Sequence, residues 1–138
     1  MDRPASPAPH SDVRLLALVV ESETEARIAT ADRLAEAGFE VLEAWSAQSA
    51  LLQIERHPML RLVVVDADLP GAEARFALVH EIARHRPDLC LIALSAGPAP
   101  GPGTLPEGVR FAAKPLGPAL ARAVWDALEH RPEGDGRL

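Results

Sequence analysis

Five short apolar runs punctuate this chain, and the segments between most of them repeat apolar residues at helical spacing. The runs are LLALVV (15–20), FEVLEA (39–44), RLVVVD (61–66), LCLIAL (89–94) and VRFAA (109–113). Three of them are continuously apolar rather than alternating, the pattern of strands buried on both faces. The segment 24–37 places Ile28, Ala31, Leu34 and Ala35 together, and 46–57 places Ala50, Leu51 and Ile54 behind Ser46, a suitable N-cap. In 73–86 Phe76, Val79, Ile82 and Ala83 align. In 118–130 Leu120, Ala123, Val124, Ala127 and Leu128 do so behind Pro118, which suits a first helical turn. Strict β-α-β alternation of this kind predicts an α/β fold with a mostly parallel, doubly wound sheet and right-handed crossovers. One segment breaks the rhythm. GPAPGPGTLPEG (97–108) stands where a fourth helix belongs, and four Pro and four Gly in it cannot sustain one. A loop with at most one short helical turn is expected there.

At 138 residues the chain has room for one domain. Residues 1–12 are rich in Pro and Ser and read as a disordered arm, 13–130 as the domain, and 131–138 as a flexible tail. The formal net charge of −6 argues against nucleic acid and against an anionic membrane surface as partner. No apolar run approaches the length of a membrane span, and the first residues lack an apolar signal core, so a cytoplasmic protein is expected. Lone Cys90 excludes an internal disulfide and a cysteine-based zinc cluster. His10, His57, His80, His85 and His130 have no ligand spacing and read as solvated, while Trp45 and Trp125 read as packing residues.

Open α/β sheets bind ligands beyond the carboxyl ends of their strands. Those positions hold Glu21 and Ser22 after the first run, Asp66 at the end of the third, Ser95 after the fourth and Lys114 after the fifth. A carboxylate that can act as nucleophile, a second acid, a hydroxyl and an amine suit the handling of a phosphoryl group. Lys114 stands out further because it is the single lysine among fourteen cationic side chains. Arg and Lys are not interchangeable, and a compact ammonium is what this position retains.

Four motifs at these strand ends resemble those of two-component response-regulator receiver domains of the CheY-like kind. VVVDADLPG (63–71) resembles the family's third strand, with the acceptor Asp followed four residues later by Pro70. LSA (94–96) resembles its Leu-Ser/Thr-Ala motif, FAAKPL (111–116) its aromatic-x-x-Lys-Pro end of the fifth strand, and VVESE (19–23) occupies the place of its acidic pair. The resemblance spans about residues 13–130. It implies a flavodoxin-like five-stranded sheet of order 2-1-3-4-5, here with the fourth helix short or absent. It also implies that Asp66 is the phosphoacceptor, that Lys114 pairs with it, and that a cis peptide precedes Pro115. Ser95 and Phe111 would form the switch that carries the signal across the sheet.

The resemblance further implies Mg2+ as cofactor, and here the chain departs from the family. The usual second acid, a direct ligand, falls on Ser22, and Ser22-Glu23-Thr24-Glu25 instead fits a capping box opening the first helix. A neutral hydroxyl is a poorer ligand than a carboxylate for this hard cation. The expected metal set is Glu21, Asp66 and Asp68, with Glu21 reaching in, Asp68 adding its side chain, or the metal bound weakly.

The function implied is that of a single-domain response regulator in a phosphorelay. It would take a phosphoryl group on Asp66 from a histidine kinase or phosphotransfer protein and then meet a downstream protein target. It would be a signalling domain rather than an enzyme, a monomer or weak homodimer. The rival reading is a degenerate receiver acting as a phosphorylation-independent interaction module, with Ser22 marking a lost metal site. A nucleotide- or flavin-binding domain is disfavoured, because no phosphate-cradling Gly-rich loop follows the first run.

Overall fold

The computed structural model describes residues 15–71 and 74–130. The expected arm (1–12) and tail (131–138) lie outside the described residues. The elements run β1 (Leu16–Val20), α1 (Thr24–Ala37), β2 (Glu40–Ala44), α2 (Ala47–Arg56), β3 (Leu60–Asp66), α3 (Ala77–His85), β4 (Cys90–Ser95), β5 (Arg110–Ala113) and α4 (Pro118–Glu129). All five strands are parallel, in the order β2-β1-β3-β4-β5. Every strand lies within a residue or so of its apolar run. No described helix is long and apolar enough to cross a membrane.

The sheet is covered on both faces, which is why its central strands carry apolar residues on both sides through their middle positions. Leu18, Val20, Val63, Val65, Leu91 and Ala93 point to one side and pack with Ile54 of α2 and with Val79 and Ile82 of α3. Ala17, Val19, Leu62, Val64, Ile92 and Leu94 point to the other and pack with Leu34 of α1 and with Val124 and Leu128 of α4. Burying such side chains on two faces contributes roughly 1.5–3 kcal/mol each before entropy is counted. The edge strands β2 and β5 are only partly covered, and their sequences are correspondingly more polar.

Residues 97–108 form no helix, as their composition predicts. The loop is nevertheless tied down. His80 Nε2 lies 2.8 Å from the Thr104 carbonyl, an Arg75 guanidinium N–H donates to the Pro98 carbonyl at 2.6 Å, and Leu105 packs against the α2/α3-side core.

Five local expectations need correction. On α4, Ala123 and Ala127 are exposed, and the buried face is Ala121, Val124 and Leu128. Ile28 and Ala35 face outward; the buried face of α1 is Thr30, Ala31, Leu34 and Ala37, spaced three and four residues apart along one side of the helix. The Ser22 capping box does not form. The N-cap is Glu23, without a side-chain cap, and the Glu23 N–H is taken by the Glu21 carboxylate at 3.1 Å. Trp45 is exposed, whereas Trp125 packs edge-on against Phe39 as a core aromatic should. Finally, α3 begins at Ala77 and not at 73: Ala74–Phe76 form a turn closed by Ala77 N–H to the Ala74 carbonyl, which carries Arg75 toward β4. Ser46, by contrast, caps α2 as expected, accepting from the Ser49 N–H at 3.0 Å.

Gly38 ends α1 with φ +121°, its N–H bonded to the Ala35 and Leu34 carbonyls, and a Cβ there would sit 3.2 Å from the Trp125 ring. Both the backbone conformation and the space require glycine. Gly38→Ala is expected to cost about 1–3 kcal/mol, from strain plus displacement of Trp125. Urea denaturation with Trp fluorescence checks this, and an unchanged midpoint would contradict the packing described.

Candidate functional site

The carboxyl ends of β1, β3, β4 and β5 bring Glu21, Asp66, Ser95 and Lys114 to one edge of the sheet. Parallel pairing fixes their relative heights. Val20 is level with Val65, Asp66 with Leu94, and Ser95 with Ala113, so the residues just beyond converge. The Lys114–Pro115 peptide is cis. Lys114 N–H donates to the Ser95 carbonyl at 2.9 Å, pinning the chain as it leaves β5.

Lys114 is the centre of the charge arrangement. Its ammonium lies 2.8 Å from Glu21 Oε1 and 3.1 Å from Asp66 Oδ1, bridging two buried carboxylates. Asp66 Oδ1 also accepts the Asp68 N–H at 2.9 Å. Glu21 Oε1 is fully buried, and the Lys114 ammonium 2.8 Å away is the group that meets its charge.

The two acids respond differently to this setting. Burial pushes the Asp66 carboxyl up, helped by the negative Glu21, and outweighs the Asp68 N–H and Lys114. Burial also pushes on Glu21, but the Lys114 ammonium and the Glu23 N–H outweigh it and hold the group down. Burial would lower Lys114, yet the two carboxylates hold it above its ordinary value, so it remains charged.

Ser95 is completely buried. Its hydroxyl donates to Asp68 Oδ2 at 2.8 Å and accepts from the Gly97 N–H at 2.9 Å and from an Arg75 guanidinium N–H at 2.8 Å. The Asp68 side chain is therefore turned toward Ser95 and Arg75. Phe111, in β5, is half-buried against the α2/α3-side core, and the Arg75 guanidinium lies 6.0 Å from its ring centre and 4.8 Å from that of Phe76. Ser22 is exposed.

Arg75 is the residue that sequence reasoning missed. One arginine among thirteen carries no mark of its own, and its loop is short of motif residues. The neighbouring Phe76 was the only available hint. The histidines also find places: His57, His85 and His130 sit by the carbonyls of Gln53, Glu81 and Asp126, near the ends of their helices.

As a divalent-cation site the donors fit poorly. Glu21 and Asp66 converge, but on the same ammonium, while Asp68 is engaged elsewhere and Ser22 offers no charge. Among the described residues no three His, Cys, Asp or Glu side chains are grouped to hold a metal ion.

No family model and no curated protein matches the sequence. Solved structures do. A CheY-like response-regulator receiver domain protein from Methanospirillum hungatei superposes with a TM-score of 0.73 at 22% identity, over 85% of this chain and 95% of that one. The response regulator TrrA from Thermotoga maritima, solved in complex with Mg2+-BeF, gives 0.71 at 22% identity, over 83% and 98%. The receiver domain of NtrX from Brucella abortus gives 0.65 at 29% identity, over 83% and 99%. With its five-stranded 2-1-3-4-5 sheet and these neighbours, the chain has the fold of the CheY-like response-regulator receiver domain.

Proposed function

We propose that this chain is a phosphoacceptor in two-component signalling, receiving a phosphoryl group on Asp66 from the phosphohistidine of a kinase or phosphotransfer protein. One observation carries the reading: a buried Asp66 carboxylate held 3.1 Å from the chain's single lysine, within a cluster that also presents a buried serine hydroxyl. A carboxylate oxygen of Asp66 attacks phosphorus, the new O–P bond forms, and the donor's P–N bond breaks with its electron pair leaving on the imidazole. Lys114 stabilises the charge that builds on the phosphoryl oxygens. The Asp68 N–H and the Ser95 hydroxyl are hydrogen-bond donors within the same site. If Ser95 leaves Asp68 for the phosphoryl group, Arg75 shifts with it beside Phe111, and the surface over β4 and β5 changes for a downstream protein to read.

The rival reading, an interaction module that works without phosphorylation, draws on the exposed Ser22 and the poor donor set for a metal. Acetyl phosphate with Mg2+, followed by intact mass, separates the two. The wild type is expected to gain one phosphoryl group and Asp66→Asn none. A wild type that never gains it supports the interaction module.

A further inference from the structure

We propose that Arg75 is a second cation of the phosphoryl site, supplying charge that a divalent ion would otherwise have to supply, so that Asp66 is phosphorylated with little dependence on Mg2+. The inference rests on the reading of Asp66 as phosphoacceptor and assigns a role to a residue outside the four motifs.

Charge is the first ground. Glu21, Asp66 and Asp68 bring three negative charges, against which Lys114 and Arg75 bring two positive ones. Phosphorylation converts the singly charged Asp66 carboxylate into an acyl phosphate carrying about −2, so the site gains about one further negative charge on oxygens that project from it. Without Arg75 the ammonium alone would face all of it. With Arg75 the site carries two fixed cations and lacks the carboxylate that would ordinarily hold a divalent ion.

Geometry is the second. The guanidinium is 2.8 Å from Ser95 Oγ, and its Nε is 3.5 Å from Asp68 Oδ1. Ser95 Oγ and Arg75 thus already hold one carboxylate between them, that of Asp68. An anion is what this corner accepts, and a planar fork of donors suits a phosphoryl group as well as it suits a carboxylate. The rings of Phe76 and Phe111 lie beside the guanidinium at 4.8 and 6.0 Å, supporting it without consuming its N–H donors. On phosphorylation the Ser95 hydroxyl and the guanidinium exchange the Asp68 carboxylate for a phosphoryl oxygen, and Asp68 is displaced toward solvent. The same guanidinium donates to the Pro98 carbonyl at 2.6 Å, so the exchange also pulls on the 97–108 loop.

With acetyl phosphate the step balances without a metal. The Asp66 oxygen–phosphorus bond forms, the acyl oxygen–phosphorus bond breaks, and acetate leaves with the electron pair and no proton. The test follows adduct formation by intact mass in excess EDTA and in Mg2+, for wild type, Arg75→Gln and Arg75→Lys. The wild-type rates in the two conditions should differ by less than about tenfold. Arg75→Gln should lose about 30-fold in EDTA, the worth of a charge-assisted hydrogen bond, and recover most of it in Mg2+. Arg75→Lys, which keeps charge but not the fork, should fall between. A second measurement uses Mg2+ alone, titrated against amide NMR shifts. Removing the guanidinium charge in Arg75→Gln should tighten Mg2+ about fivefold, and Arg75→Lys should bind like wild type. A wild type as dependent on Mg2+ as Arg75→Gln, or equal Mg2+ midpoints, overturns the role of Arg75. If no wild-type adduct forms under any condition, the phosphoacceptor reading falls, taking the phosphoryl role of Arg75 with it. The Mg2+ midpoints then report only on its charge.

Discussion

Lys114→Met is expected to lose about 2–4 kcal/mol of stability near neutral pH, a large share of what a domain of this size has. The methionine fills much of the same space, so the loss comes from charge rather than from a cavity. Glu21 and Asp66 stay buried, and their shared cation is gone. The pH dependence identifies the cause. In the variant the Asp68 and Glu23 N–H groups remain, but burial, the largest influence on each carboxyl, together with mutual repulsion outweighs them, so both are held above their ordinary values. A group raised in the folded state contributes stability that is complete below its unfolded value and is lost as pH rises through the folded one. The variant should therefore weaken as pH climbs from about 4 toward neutrality. In the wild type Glu21 is held low, so its contribution is present above its ordinary value and lost as pH falls. Asp66 is raised, so its contribution runs the other way, largest in acid. The gap between variant and wild type should narrow sharply in acid. Urea titrations near neutral pH and near pH 3.5 check this, and a gap that ignores pH would mean that lost packing, not unpaired charge, is the cause.

Leu34→Ala is the second large effect, at about 3–4 kcal/mol. Leu34 is completely buried between α1 and the sheet, in the cluster that also holds Val19, Leu62, Val64 and Val124. Removing it leaves a void between elements that β-sheet pairing prevents from closing. Ile28→Ala, on the exposed face of the same helix, is expected to cost under about 1 kcal/mol. Denaturant midpoints measured side by side test the pair. Similar losses at both positions would show that the assigned orientation of α1 is wrong.

How much of this could be read from the residues depends on which physical signal each element leaves. The strands were legible because parallel strands covered by helices on both sides must be apolar throughout, and LLALVV, RLVVVD and LCLIAL have no other easy home. The site followed from the strands, since Asp66, Ser95 and Lys114 sit at ends that a parallel sheet lines up. The face of α1 was misread because alanines and a threonine cover the sheet there while isoleucine faces outward, against the usual hydrophobic ordering. The capping box failed because α1 begins one residue later than the box requires: Glu23 is the N-cap, and its N–H is taken by the Glu21 carboxylate, a contact that the sequence pattern around Ser22 does not report. Arg75 left only the hint of its neighbour Phe76, because its partners Ser95, Pro98 and Phe111 come from distant parts of the chain, and the exposure of Trp45 left no local pattern.

The order of the strands in the sheet also fixes an order of assembly. β2 and β3 each pair with β1, β4 pairs with β3, and β5 pairs with β4, so every strand after the first meets a neighbour that has already been synthesised. A chain emerging from the ribosome N-terminus first can thus extend its sheet outward without waiting for a missing partner. The acids arrive early, with Glu21 after β1 and Asp66 at the end of β3, and Lys114 arrives only after the last strand. Until β5 docks, the growing sheet carries two inward-facing carboxylates with no ammonium between them. The final strand therefore closes the sheet and brings the ammonium to its two buried carboxylates in a single event, so completion of the sheet and neutralisation of its charged edge coincide.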